Sequence, residues 1–165
     1  MSEETKAQIR KYYNNLEING LGVIVFGIWS VLKYLINMIM GQTNMEDIVA
    51  IINIGNSDTL VNVVLVIVFI VYTLVLLLHV YIGACAVYYA RRKTENTRFL
   101  IWAIVLFIIN LISVSNYLCS PESMEWDDTV IITLMVDFTF FYIIIDMLYS
   151  YIKIKKLSKL KEYEN

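Results

Sequence analysis

LVNVVLVIVFIVYTLVLLLHVYIGACAVYYARRKTENTR, residues 60–98, carries no Asp, Glu, Lys or Arg as far as Ala90 and then presents Arg91, Arg92, Lys93 and Arg98. A helix over the apolar part, 60–87, rises about 42 Å at 1.5 Å per residue, more than the ~30 Å hydrocarbon layer requires. Such a run is buried on every side, and lipid is the environment that does this most simply. Outward from it, three more apolar runs cover 18–40, 99–118 and 129–152. The chain therefore reads as an all-α membrane protein: a bundle of four transmembrane helices in two helical hairpins. At 59% hydrophobic and 17% charged, its 165 residues lack the polar surface that a water-soluble domain needs. Four spans and their connections fill the chain, so no separate soluble domain is expected.

The charges divide by segment. Of thirteen Lys and Arg, all but Lys33 lie before the first run, between the second and third, or after the fourth. The other two connections hold only acids: Glu46, Asp47 and Asp58 in one, Glu122, Glu125, Asp127 and Asp128 in the other. Short basic segments stay in the cytoplasm, so both termini are expected inside and both acidic loops outside the cell membrane. Tyr12, Tyr13, Tyr88, Tyr89, Trp102, Tyr149 and Tyr151 fall near the inner boundary, where amphipathic rings prefer to sit. Trp29 lies deep in the first span and is expected to pack against a neighbour.

Residues 1–17 form a polar leader with Ile9, Tyr13 and Leu16 at helical spacing. That pattern predicts a short amphipathic helix lying on the cytoplasmic membrane surface. Residues 44–54 predict a second interfacial helix in the first outer loop, opened by the Thr43/Glu46 capping pattern and closed by Gly55. Residues 153–165 form a basic tail able to meet anionic lipid headgroups. The first run is too long for the apolar part of a cleavable signal and lacks a small-residue site after it, so it is expected to remain attached.

Ionisable side chains at membrane depth cost about 2.5–3.5 kcal/mol each on insertion scales and are functional candidates by default. The candidates are Lys33 in the first span, His79 in the second, and Asp137 and Asp146 in the fourth. Asn110, in the third, joins them as a polar partner. Counting from the outer boundary places Lys33 and Asp137 at matching depth, about 10–12 Å in at 1.5 Å per residue. If the first and fourth spans are neighbours, the two can pair, either as a coupled ion or proton site or as a clip fixing register. His79 and Asn110 match in depth at mid-membrane, which predicts a His–Asn hydrogen bond between the neighbouring second and third spans, or a proton relay through His79. Asp146 is nine residues from Asp137 and so on the opposite side of its helix. It is expected to meet a water pocket, a tyrosine hydroxyl or a second subunit. Tyr72, His79, Gly83, Ala86 and Ala90 share one face of the second span, where small residues permit close helix approach.

Catalysis finds little material here. One histidine, no Glu within the spans, no metal-ligand spacing and no phosphate-cradling glycine loop predict a non-enzyme without metal or cofactor. Cys85 and Cys119 lie at different depths, too far apart for a disulfide. Nucleic-acid binding is not expected, because the basic segments are short flanks rather than a folded surface. The reading that remains is a non-catalytic membrane subunit or accessory protein acting through helix packing, with the bilayer, other membrane proteins or copies of itself as partners. The alternative is a small oligomeric ion- or proton-coupled transporter or channel using Lys33, His79, Asp137 and Asp146.

Overall fold

The computed structural model describes residues 3–39, 58–119 and 128–163, and all regular structure among them is helical. Four helices follow in order: α1, Glu3–Ile39; α2, Asp58–Ala90; α3, Phe99–Cys119; and α4, Asp128–Tyr163. Three contain stretches long and apolar enough to cross a membrane, Glu3–Lys33, Val63–Ala90 and Leu134–Lys159, and Phe99–Ile112 of α3 is a shorter apolar helix. The predicted outer helix over 44–54 falls outside the described residues.

The bundle is organised around α1 rather than as two equal hairpins. Helix α1 packs extensively against both α2 and α4, whereas α3 touches α2 and α4 only lightly. The reason lies in residue size. Hydrophobic burial does not draw helices together within lipid, so close association depends on small residues that let backbones approach. Gly20 of α1 meets Gly83 of α2 so closely that a side-chain carbon on Gly20 would stand 2.8 Å from the Gly83 carbonyl oxygen and 3.0 Å from Ala86 Cβ. Two turns further along α1, Gly27 gives the same room to the backbone-proximal part of His79. The pairs Gly20/Gly83 and Gly27/His79 step along the two helices in antiparallel register. The face of α2 that carries His79, Gly83, Ala86 and Ala90 is the face α1 covers, and all four are buried.

Helix α4 runs antiparallel along another side of α1. Gly22 faces Ile143, and Phe26 packs on Phe140 with ring centroids 5.5 Å apart. The continuous core consists of Leu16 and Val23 of α1, Ile82 and Ala86 of α2, Phe99 and Ala103 of α3, and Ile144 and Met147 of α4, among others. Near the opposite end, Phe107 of α3 stands edge-on to Phe141 of α4, beside Val114 and Leu134. Most remaining large apolar side chains point outward, as surfaces immersed in hydrocarbon must.

Two expectations are corrected. The leader is not a separate interfacial helix but the first four turns of α1. No Pro or Gly interrupts residues 3–19, Glu3 and Glu4 suit a helix N-terminus, and nothing stops the hydrogen-bond ladder where the sequence turns apolar. Its apolar stripe meets protein instead of headgroups: Leu16 is fully buried, and Tyr13 stacks on Tyr89 at 6.4 Å. The basic tail is helical where it is described, α4 continuing through Lys153, Lys155, Lys156 and Lys159 to Tyr163. Trp29 does not pack inward; it is 44% exposed on the apolar exterior.

Candidate functional site

Polar side chains within the apolar stretches gather along the seam between α1 and α4. Asn19 Nδ2 donates a hydrogen bond of 2.6 Å to Asp146 Oδ2, joining residues on antiparallel neighbours. Asn19 is 93% buried, so its amide has no access to bulk water and depends on this carboxylate. Asp146 therefore faces α1 within the same chain, not outward toward a second subunit as its position opposite Asp137 suggested. Half a helical circumference away, Asp137 lies within electrostatic reach of the Lys33 ammonium, both residues being half-buried. Of these two α4 carboxylates, one bonds an amide of α1 and the other lies within electrostatic reach of an α1 cation.

His79 takes a different partner from the one its depth suggested. Its Nδ1 lies 2.8 Å from the Val75 carbonyl oxygen, one turn back on α2. A carbonyl can only accept, so in this contact Nδ1 is the donor. The imidazole is buried and lies 5.5 Å from the Phe140 ring, between α1 and α4. Asn110 is not its partner. That residue is on α3, one turn from Phe107, and Asp137 is one turn from Phe141 on the antiparallel α4, so Asn110 shares a level with Asp137. Its buried Oδ1 accepts no hydrogen bond, and neither does the buried hydroxyl of Ser150 on α4. Among the described residues no three His, Cys, Asp or Glu side chains converge as a metal site would require, and both cysteines are free thiols.

A second polar region occupies the basic end of the bundle. Tyr12 packs edge-on to Tyr149 at 6.0 Å, and Tyr89 contacts Tyr151 and Phe99 at 5.6 and 6.0 Å, tying all four helices together. Helix α2 ends here in a Schellman motif: Lys93 N–H donates to Tyr88 O and Arg92 N–H to Tyr89 O, each at 2.9 Å. The motif requires a left-handed residue at its penultimate position, usually glycine. This chain places Arg92 there, at φ 57°. The crowding between Cβ and carbonyl costs an L-residue about 1–2 kcal/mol. What the side chain gains is a seat on Tyr13, with the guanidinium 4.8 Å from the ring centroid. Beside it, Arg91 donates through Nε and Nη2 to Glu17 Oε1 at 2.8 and 2.6 Å. That pair is half exposed, so Glu17→Gln is expected to lower the thermal midpoint by less than ~1 kcal/mol equivalent, read by unfolding in detergent.

Between the end of α2 and the overhanging starts and ends of α1 and α4 lies an open cleft of ≈ 910 Å³. Lys6, Arg10, Arg91 and Arg92 line it with Glu95 as the single acid, over a base that includes Tyr13 and Tyr89. Lys33, His79, Asp137 and Asp146 line none of it.

Sequence reasoning missed Asn19 as the partner of Asp146 and missed the cleft altogether. A signal for the first was present: α1 carries a polar stripe from Asn19 to Lys33, which must face protein or water rather than lipid. The cleft had no signal, because it depends on α1 and α4 continuing past the end of α2. Comparison with protein-family models, with curated proteins and with solved structures returns no match to this chain.

Proposed function

We propose that this protein is a non-catalytic membrane subunit or accessory protein that crosses the cell membrane four times, with both termini in the cytoplasm, and works by packing against other membrane proteins or copies of itself. The observation that carries this reading is the use made of the intramembrane polar groups. Asn19 and Asp146 bond each other across α1 and α4, Lys33 lies within electrostatic reach of Asp137, and His79 bonds its own helix, so the polar groups take partners inside the protein. A translocation path would need such side chains around a wetted cavity, with helices broken near the binding site. The lightly held α3, with Ile101, Ile104, Ile108 and Ile112 all facing outward, supplies apolar surface for lipid or for a neighbouring helix.

The test is cross-linking in intact membranes followed by purification in mild detergent. A discrete complex, with another membrane protein or with further copies of this chain, is the expected result. A monomer throughout, combined with ion-dependent flux in proteoliposomes that Asp137→Asn abolishes, would favour a transporter and overturn the proposal. Under the clip reading of Lys33 and Asp137, Lys33→Asp and Asp137→Lys are each expected to lower folded yield, and the double exchange to restore it.

A further inference from the structure

The cleft at the basic end collects more positive charge than its acids neutralise. Glu17 takes Arg91, Glu3 takes Lys6 at 2.8 Å, and Glu95 lines the cleft without an ion pair among the described residues, so four cations face three acids. Arg10 and Arg92 remain, and among the described residues neither pairs with an acid; Arg92 rests on the Tyr13 ring instead. The carbonyls of the last turn of α2, at Val87, Tyr88 and Tyr89, would repel an anion, but the N–H groups of Arg91, Arg92 and Lys93 already occupy them. The backbone holds Arg92 in a conformation that glycine fills without strain, so its presence there is explained by its side chain rather than by the turn.

We propose that this cleft binds a phosphate group, with Arg10 from α1 and Arg92 from the α2–α3 turn as the principal ligands. Planar guanidinium forks match phosphate oxygens two at a time, and a ring face beneath one fork fixes its plane. The floor of the cleft is apolar, with Ile9, Ala90 and Ile154 buried beneath the charged rim. A cationic rim over an apolar floor, at the level where the chain turns from apolar to charged, suits the phosphate of an anionic lipid whose glycerol and first methylenes lie below it. The same phosphate chemistry is also available from soluble compounds. The site is independent of the packing function proposed above, because its residues lie outside the α1–α4 polar seam.

The experiment uses the full-length protein in nonionic detergent and native mass spectrometry to count retained lipids. Phosphatidylglycerol and phosphatidylcholine of matched acyl chains are compared, the second carrying a cationic choline that the arginines should repel. Preferential retention of phosphatidylglycerol is expected, reduced about tenfold by Arg10→Gln or by Arg92→Gly. Arg92→Gly should melt at or above the parent temperature, since glycine suits the left-handed position, so its loss of binding would not reflect unfolding. Arg10→Gln changes an exposed helical position and carries the test independently. A Lys11→Gln control, at an exposed position of α1 outside the cleft lining, should retain lipid as the parent does. Displacement by millimolar inorganic phosphate would identify the phosphate group alone as sufficient and a soluble compound as a competent source. Resistance to displacement would identify the lipid as the source. Equal retention of both lipids by the parent protein, unchanged retention in both arginine variants, or an equal loss in the lysine control would overturn the proposal.

Discussion

Gly83→Leu is expected to eliminate most folded protein. The first carbon of any side chain at this position would collide with the Gly20 backbone oxygen and stand 2.5 Å from Ile24 Cγ1, so α1 and α2 would have to separate. Overpacking a tight interior usually costs about 1–3 kcal/mol when side chains can yield, and more when backbone must move. Here the obstacle is backbone on the central helix of the bundle, so ~3 kcal/mol or more is expected, enough to exhaust the margin of a small protein. Gly20→Leu should behave alike, meeting the Gly83 carbonyl at 2.8 Å. The contrast is Gly22→Ala, whose new methyl would meet Ile143 Cδ1 at 3.2 Å, the free end of a flexible side chain. That change should stay within about 1 kcal/mol. Thermal unfolding in detergent, followed by size-exclusion profile, measures all three. If Gly83→Leu melts like the parent, α1 does not approach α2 as described.

Changes at Asp146 have the second-largest expected effect, and their pattern matters more than their size. Asp146→Leu strands the buried Asn19 amide, which should cost about 1–3 kcal/mol. Asp146→Asn keeps an acceptor for the same donor while removing a charge from an apolar setting, so it should be neutral or stabilising. Asn19→Leu combined with Asp146→Leu removes both ends of the bond and should recover most of what the single leucine loses. Midpoints of thermal unfolding for the parent, Asn19→Leu, Asp146→Leu and the double leucine variant complete a double-mutant cycle. A functional proton site would give a different signature: Asp146→Asn would leave stability intact and stop flux.

How much of this arrangement the residues announced depends on the scale. Helix number and order followed from four apolar runs, since length alone decides what can cross a bilayer. The leader misled because hydropathy marks where a membrane begins, whereas a helix ends only where capping or a breaker ends it. Central placement of α1 was not legible from periodicity, because helices apolar on every side give no direction. The informative marks were Gly20, Gly27 and Gly83, which need a close neighbour but do not name it. Depth counting brought Lys33 and Asp137 to one level, and their pairing remains the expectation that the charge exchange tests. The same counting paired His79 with Asn110 wrongly, because equal depth does not select a face. His79 shares its face with Gly83 and Ala86, and the small face belongs to the closest helix, α1.

Helices α1 and α4, at 37 and 36 residues, are each about 55 Å long at 1.5 Å per residue, well beyond what hydrocarbon can cover. Past the α2–α3 turn both rods continue as a mast, rooted where Tyr12 packs against Tyr149. Any tilt imposed on the rods inside the lipid must therefore swing the mast's tip through a wider arc. A neighbour gripping that tip would gain leverage over the angle at which the buried portion leans.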